Sequence, residues 1–244
     1  MEVFMEIIIC ENYDEMSKIA AEKVAKVVLN KADCTLGLAT GSTPIGTYKK
    51  LIEKYNAGEL DFSRVKTFNL DEYYPISPKN ENSYRYFMEE NLFGKVNINA
   101  DNVSFPKGDA EDVSAECKRY EKQIAESEGI DIQILGIGQN GHIGFNEPAE
   151  ALELYVHKTD LEESTIAANA RFFESEADVP RQAITMGIAD IMSARQIILL
   201  ANGKGKHKAI SALLDDTISA SVPATFIKLH KNVCIICDKE AYYG

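Results

Sequence analysis

Short runs of apolar residues alternate with amphipathic stretches along most of the chain. Residues 13–29 carry apolar side chains at the spacing of one helix face, which predicts a helix. These side chains are Met16, Ile19, Ala20, Val24 and Val27. Further helices are predicted at residues 43–55 and 112–126, and strands at residues 7–10, 35–39, 65–70, 130–135 and 233–237. Residues 181–192, 196–200, 206–214 and 225–229 continue the alternation.

Strand, helix and strand in series predict an α/β fold in three α/β/α layers, with a mostly parallel, Rossmann-like central sheet. No internal repeat, low-complexity run or linker divides the chain, so residues 1–244 are expected to form a single domain. Residues 149–179 are polar, of mixed period and long for a connection. Such a segment is typical of a lid over an active site, although an ordinary surface helix and loop fits the pattern equally well.

The charge balance excludes several function classes. Lys and Arg number 26 against 38 Asp and Glu, so the formal net charge is −12. That balance argues against nucleic-acid partners, because phosphate backbones require clustered cations. No stretch approaches the roughly 20 consecutive apolar residues that span a bilayer, so no membrane partner is expected. Residues 1–10 are acidic and lack the basic start of a signal peptide, and we expect a cytoplasmic protein.

The cysteines are expected to be reduced and structural. There are five, an odd number, without the spacing of a disulfide framework. Cys234 and Cys237 lie three positions apart in a predicted strand, so their side chains point to opposite faces. No second Cys pair completes a zinc site.

Ligands of open parallel sheets bind at the carboxyl ends of strands, so the loops that follow strands are candidate sites. The first, residues 38–44, reads Leu-Ala-Thr-Gly-Ser-Thr-Pro. Gly41 permits an unusual backbone conformation, Ser42 or Thr43 can cap the helix, and Pro44 suits its first turn. The exposed N–H groups and hydroxyls suit a phosphate, although a capped helix without a ligand explains the loop equally well. No Gly-Lys-Ser/Thr follows, so this is not a Walker A loop.

The second loop, residues 68–74, reads Phe-Asn-Leu-Asp-Glu-Tyr-Tyr. Its carboxylate pair, Asp71 and Glu72, lies at the end of a strand between aromatic residues. Apolar surroundings raise the pKa of a carboxylate towards neutrality, which suits proton abstraction. Taken alone, a solvated acidic turn is the commoner explanation of such a loop.

The third loop, residues 134–148, has glycines at the G-x-G-x-x-G spacing of a dinucleotide site. That fingerprint opens a helix, whereas Gly144 and Pro148 break one here, and it usually occupies the first strand–loop–helix unit. We interpret the glycines as bringing the backbone close to a small ligand. His142 and Glu147 are then expected to point into the site.

Together the three loops resemble the glucosamine-6-phosphate deaminase family, also called glucosamine-6-phosphate isomerase. The matching stretches are residues 38–44, 69–73, 136–148, 169–173 and 183–187, so the resemblance covers nearly the whole chain. The run Gly-His-Ile-Gly-Phe-Asn-Glu-Pro at residues 141–148 is highly specific, because related sugar-phosphate enzymes of this fold share only its Gly-His part. The resemblance implies conversion of glucosamine 6-phosphate and water into fructose 6-phosphate and ammonia, with no cofactor and no metal.

The resemblance also implies roles for individual residues. Asp71 would move a proton between the amine-bearing carbon and its neighbour, and His142 would assist opening of the pyranose ring. Glu147 would orient His142 and complete the acid–base relay. Many family members carry Asp at the position of Asn140. A neutral amide can orient His142 but cannot stabilise its cation by charge, so we expect Glu147 to take over that electrostatic task.

By the same resemblance, the substrate phosphate would lie against Gly41, Ser42 and Thr43. Arg171 and Lys206 would supply positive charge, the first as a bidentate fork and the second as a point charge. The assignment of Lys206 depends on aligning residues 203–206 without a gap, and Lys208 is the alternative.

Some family members are activated by N-acetylglucosamine 6-phosphate through basic and hydroxyl residues just beyond the Phe-Asn-Glu-Pro run. Here residues 149–157 are acidic and contain no Arg, although Lys158 and Thr159 follow. We expect no such activation.

Three functions are compatible with this set of residues. The leading one is an isomerase and deaminase whose partner is a small-molecule amino sugar phosphate. A 6-phosphogluconolactonase-like hydrolase would keep the His142 loop but would need neither Asp71 nor residues 146–148. A non-catalytic sugar-phosphate sensor would be expected to lack Asp71, His142 or Glu147 and to carry an effector domain. Amphipathic surface helices leave the formation of a homo-oligomer open.

Overall fold

A computed structural model describes residues 4–244. The prediction that residues 1–10 are not a signal peptide therefore falls partly outside the described residues, because it includes residues 1–3. The strands are β1 (Phe4–Cys10), β2 (Thr35–Leu38), β3 (Lys66–Asn69), β4 (Asp71–Tyr74), β5 (Val103–Ser104), β6 (Ile132–Gly136), β7 (His157–Asp160), β8 (Gln182–Thr185), β9 (Ile197–Ala201) and β10 (Asn232–Asp238). The α-helices are α1 (Tyr13–Asn30), α2 (Ile45–Asn56), α3 (Tyr84–Asn91), α4 (Val113–Glu126), α5 (Glu163–Asn169), α6 (Ile188–Met192), α7 (His207–Leu214) and α8 (Lys239–Tyr243).

Seven strands form the central sheet in the order β1-β10-β9-β6-β2-β3-β5, and neighbouring strands pair in parallel. Every residue of β9 is buried, as expected for a strand covered on both faces. The helix α1 buries Met16, Ala20 and Val24 against β1, β9 and β10, so the predicted apolar face does meet the core. The predicted three-layer α/β/α fold with a mostly parallel sheet is confirmed.

A second, smaller sheet interrupts the expected alternation. It contains β4, β8 and β7 in that order, and both pairings are antiparallel. Residues 71–74, which the sequence suggested were part of a loop, form β4, and Asp71 pairs with Thr185 of β8. Residues 181–192 are therefore not one element but the strand β8 followed by the short helix α6. A four-residue run carries too little periodicity to distinguish these possibilities.

Residues 225–229 also depart from the alternation, since they belong to a 3₁₀ helix, Pro223–Leu229, outside both sheets. The hydroxyl of Thr225 accepts a hydrogen bond from the Ser219 N–H at 2.9 Å and donates to the Val222 carbonyl at 2.7 Å. These local bonds satisfy backbone groups that a strand would have paired with a neighbour.

A separate apolar cluster joins the small sheet to the segment at residues 149–179. Its buried members include Tyr73 of β4, Phe145 of the third loop and Ile166 of α5. The ring of Tyr73 lies 5.7 Å from that of Phe145, centroid to centroid. Packing of this kind fixes α5 beside the ends of the central strands.

The five cysteines are all unpaired and buried, as expected. Among residues 4–244, no helix has both the length and the apolar character that crossing a bilayer requires.

Candidate active site

A cavity of about 610 Å³ lies where the loops after β2, β3, β6 and β9 meet. Its wall includes almost all of the residues selected from the sequence: Gly41, Ser42, Thr43, Asp71, Asn140, His142, Arg171 and Lys206, together with the alternative Lys208. Glu147 does not line the cavity and lies directly behind His142. The convergence follows from the parallel sheet, whose carboxyl strand ends all lie on one edge.

The first loop presents its hydroxyls to the cavity without capping α2. The prediction that Ser42 or Thr43 caps this helix is wrong, because no side-chain cap bond is made there. The Tyr13 hydroxyl instead accepts the Gly46 N–H at 2.8 Å and lies 3.0 Å from the Ser42 carbonyl oxygen, to which it donates. The hydroxyls of Ser42 and Thr43 therefore lie at the cavity wall without bonding to the first turn of α2.

The conformation of this loop depends on Gly41, whose φ of 95° lies in the left-handed region that favours glycine. On either side of the cavity, the Thr43 hydroxyl donates to Asn202 Oδ1 at 3.0 Å, and Ser42 Oγ accepts from the Arg171 guanidinium at 3.3 Å. Residues far apart in the sequence thus already converge on this loop.

Three cations stand close to the same wall. Arg171 follows α5 in a short 3₁₀ helix, Lys206 is half-buried just before α7, and Lys208 is exposed within it. Burial, followed by the charge of Arg171, lowers the pKa of Lys206. Within the described part of the chain, none of the three forms a salt bridge with a carboxylate. The site therefore gathers positive charge that the protein does not neutralise.

Asp71 begins β4 and is only 6% exposed. Burial raises its pKa to about 8, with a smaller contribution from the Glu72 charge. Among residues 4–244, no hydrogen bond to the Asp71 carboxylate counteracts these effects. The raised pKa that the aromatic surroundings suggested is therefore present.

Glu72 is also buried, but successive strand residues point to opposite faces, and it has a different task. Its carboxylate accepts the N–H groups of Tyr73, Tyr84 and Arg85 at 2.8–2.9 Å, which ties the start of α3 to β4. Burial raises the pKa of Glu72 to about 7 although these bonds favour the charged form. Only Asp71 of the pair lines the cavity.

The third loop holds a histidine against a carboxylate. Nδ1 of His142 lies 3.1 Å from Oε2 of Glu147. At Gly138 a Cβ atom would lie 2.4 Å from the His142 ring, so only glycine allows this close approach. As expected, no helix opens after these glycines.

Glu147 receives two further hydrogen bonds. Asn140 Nδ2 donates to Oε2 at 2.8 Å, and the Thr165 hydroxyl donates to Oε1 at 2.5 Å. Burial by itself raises the pKa of Glu147, but the bond and charge of His142, with the bonds from Thr165 and Asn140, lower it below its usual value. Glu147 is thus held as a carboxylate, in contrast to Asp71.

The position of Asn140 differs in detail from the expectation. Its Oδ1 accepts the main-chain N–H of His142 at 3.2 Å, and its amide nitrogen donates to Glu147. Asn140 therefore contacts the carboxylate of the relay, and no bond joins it to the imidazole ring. It supports the relay through Glu147 and the loop backbone.

Two contributors were not selected from the sequence, namely Thr165 and Asn202. Thr165 is a single hydroxyl on a short amphipathic helix, and Asn202 follows β9 without any motif. The only available signal was position, since Asn202 lies at the carboxyl end of a predicted strand. Among the described residues, no group of three His, Cys, Asp or Glu side chains is arranged to hold a metal ion.

Residues 11–236 match the model of a protein family described as glucosamine-6-phosphate isomerases and 6-phosphogluconolactonases. The chain is 51% identical to glucosamine-6-phosphate deaminase of Clostridium perfringens (strain 13 / Type A), over 97% of this chain and 98% of that one. It is 55% identical to glucosamine-6-phosphate deaminase of Halothermothrix orenii, with the same coverage.

Solved structures give the same result. A monomeric glucosamine-6-phosphate deaminase superimposes with a TM-score of 0.95 at 43% identity, over 97% of this chain and 98% of that one. A 6-phosphogluconolactonase of Thermotoga maritima superimposes with a TM-score of 0.75 at 22% identity, over 98% of this chain and 100% of that one, a likeness that concerns the fold alone.

The buried state of Asp71 predicts a pH-dependent effect on stability. The folded chain retains a proton on Asp71 that the unfolded chain releases near pH 4, so this residue lowers the free energy of unfolding as pH rises from about 4 to about 8. Asp71→Asn should therefore raise the melting temperature at pH 8 more than at pH 5, by about 2–4 °C for each kcal/mol. Thermal unfolding across this range measures the effect, with the exposed Asp216→Asn as control. A difference that is equal at both pH values would contradict the prediction.

Proposed function

This chain belongs to the glucosamine-6-phosphate isomerase/6-phosphogluconolactonase family, and we propose that it converts glucosamine 6-phosphate and water into fructose 6-phosphate and ammonia by acid–base catalysis. The observation that carries the proposal is the contrast between two buried carboxylates beside one cavity. Asp71 has a pKa raised to about 8, whereas Glu147 is held ionised against His142. Successive proton transfers require titratable groups whose pKa values are shifted in opposite directions.

The phosphate of the substrate binds the first loop and two of the three cations. Ser42 and Thr43 offer hydroxyls, and Arg171 and Lys206 offer charge that lacks a carboxylate partner within residues 4–244. A phosphate dianion favours the charged form of Lys206, which burial and Arg171 disfavour in its absence. Lys206, rather than the exposed Lys208, is therefore the proposed second cation.

His142 opens the pyranose ring. It takes the proton of the anomeric hydroxyl and returns a proton to the ring oxygen as the bond between the anomeric carbon and that oxygen breaks. Glu147, through its 3.1 Å contact with Nδ1, holds the ring in place and stabilises its protonated form. The open-chain product is an aldehyde with an ammonium group on the neighbouring carbon.

Asp71 then moves a proton between carbons. Its carboxylate removes the proton from the amine-bearing carbon while the ammonium passes a proton to the aldehyde oxygen, which gives the enolamine. Asp71 then returns its proton to the former aldehyde carbon, and the amine-bearing carbon becomes a protonated ketimine. The substrate ammonium favours the charged carboxylate, which makes the buried Asp71 a base when this substrate binds. Water adds to the ketimine that results, and ammonia leaves. A lactone offers no ammonium for this purpose, which favours an amino sugar phosphate.

Residues 149–179 act as a lid over this cavity. Two observations support this: the segment supplies Arg171 to the phosphate loop and Thr165 to Glu147. The five buried, unpaired cysteines support a location in the reducing environment of the cytoplasm.

The proposal predicts ammonia release from glucosamine 6-phosphate. The purified protein should release ammonia and fructose 6-phosphate in equal amounts, as measured by coupled assays of both products. Asp71→Asn should lower kcat by about 10²–10⁴-fold, the range that general acid–base groups contribute. The melting curves described above show whether that variant is folded. If the intact protein hydrolyses 6-phosphogluconolactone and releases no ammonia from glucosamine 6-phosphate, the lactonase alternative is favoured. If it binds a sugar phosphate without converting it, the sensor alternative is favoured.

The relay predicts unequal losses from its two polar partners. Glu147→Gln removes the charge beside His142, whereas Asn140→Ala removes one neutral donor to Glu147. We expect about a 10²-fold loss of kcat for Glu147→Gln, which removes the negative charge that stabilises protonated His142, and about 10-fold or less for Asn140→Ala, which removes one hydrogen bond and leaves that charge in place. Steady-state kinetics at the pH optimum tests this. Small and equal losses from both variants would rule out the electrostatic task given to Glu147.

The phosphate site predicts a difference between two nearby lysines. Lys206→Ala should raise KM about 10–100-fold, because a charged hydrogen bond in a half-buried site is lost. Lys208→Ala should change KM by less than about 3-fold, because an exposed cation is screened. Measuring KM for glucosamine 6-phosphate at constant ionic strength compares them. A larger effect from Lys208→Ala would exchange the two assignments.

A further inference from the structure

Thr165 joins the lid segment to the catalytic relay. Its hydroxyl donates to Oε1 of Glu147 at 2.5 Å, and it is the only donor to that oxygen among the described residues. Both side chains are buried, Thr165 at 5% exposed and Glu147 at 8%. The other oxygen, Oε2, faces Asn140 Nδ2 and His142 Nδ1.

Losing this donor would leave one oxygen of a buried carboxylate unsatisfied. A carboxylate in that state is destabilised, and it gains by turning towards another donor or by taking a proton. Either change weakens its contact with His142, since the three hydrogen bonds together fix the orientation of the Glu147 side chain. The hydroxyl of Thr165 is therefore a physical requirement of the relay and more than a packing contact.

The helix that carries Thr165 also leads into the phosphate contact. Thr165 lies in α5, and Arg171 follows in the adjoining 3₁₀ helix, where it reaches Ser42 at 3.3 Å. Ile166, next to Thr165, is 1% exposed and packs in the cluster with Tyr73 and Phe145. One short stretch of the lid is thus anchored to the phosphate loop, to the apolar cluster and to Glu147.

We propose that Thr165 is a positioning residue of the relay: its hydroxyl holds Glu147 in the orientation that serves His142, and so ties the seating of the lid to acid–base catalysis. The inference rests on the proposed function. It deepens that function by naming a residue of the lid segment, at the cavity wall, whose hydroxyl acts through Glu147.

The groups that can influence a pH profile here are few. His142 is the titratable group in contact with Glu147. The cavity wall adds Asp71 from β4, Arg171 from beyond α5, and Lys206 and Lys208 at the start of α7. On α5 itself, Glu163 is exposed and pairs with Arg181 at 3.2 Å, and Glu162, the residue just before the helix, is exposed.

The test compares Thr165→Val, which keeps the shape without the hydroxyl, with Thr165→Ser, which keeps the hydroxyl. Thr165→Val should lower kcat about 10-fold, the usual effect of one hydrogen bond to a charged group, with KM within about 2-fold of the wild type. Thr165→Ser should restore kcat to within about 2-fold. Ser175→Ala, which removes a lid hydroxyl that bonds only to Asp178, is the control and should match the wild type.

The dependence of kcat/KM on pH distinguishes a positioning role from a purely structural one, because a structural role would leave it unchanged. Removing a bond to the charged form raises the pKa of Glu147, so the acidic limb of kcat/KM should shift to higher pH in Thr165→Val and not in Thr165→Ser. Circular dichroism and melting curves establish folding, and Thr165→Ala serves in place of Thr165→Val if that variant does not fold.

Three outcomes would overturn the inference. They are wild-type kcat and pH profile in Thr165→Val, equal impairment of Thr165→Ser and Thr165→Val, and a rise in KM alone with an unchanged acidic limb, which indicates a general loosening of the lid around Arg171. Failure of the wild type to release ammonia would instead refute the proposed function itself.

Discussion

Burial disfavours the charged form of every carboxylate, and the chemistry of this site depends on whether hydrogen bonds offset that cost. They do so at Glu147 and not at Asp71. Glu147 receives three hydrogen bonds that keep its pKa low, whereas Asp71 receives none from the described part of the chain and has its pKa raised to about 8. The same side-chain chemistry therefore supplies a fixed negative charge at one place and a group ready to accept or give a proton at another. Glu72, with three backbone donors, shows that even the residue next to Asp71 serves a different purpose.

The small antiparallel sheet is what gives Asp71 its environment. Strand β4 leaves the central sheet after β3 and pairs with β8, which carries Asp71 from the sheet edge into a buried position beside Thr185. An acidic turn at the end of a strand would be solvated, and its carboxylates would be ordinary acids. Pairing with β8 removes that solvent. A minor element of the fold thus decides the chemistry of the main site.

Residues 149–179, the proposed lid, show how a polar stretch can contribute to a cavity wall. Its side chains have no strong period, because they divide between solvent, the cavity and a small apolar cluster. Ile166 faces the cluster, Thr165 faces Glu147 and Arg171 faces Ser42. Because these side chains contact three different surroundings within one short stretch, the sequence shows no simple pattern of hydrophobic and polar positions there.

The sequence by itself determined the parallel sheet, because buried strands and amphipathic helices have clear periods. It also determined the three loops, because glycines, a histidine and paired carboxylates after strands are local signals. The resemblance of those loops pointed to His142, Glu147, Asp71 and the proposed phosphate contacts. The small sheet, Thr165 and the true partners of Asn140 were decided only by the tertiary structure. Four-residue strands and single hydroxyls carry almost no local signal, and their effects arise from burial and from contacts between residues distant in the chain. A carboxylate's pKa is likewise a property of its surroundings, which exist only once the chain has folded.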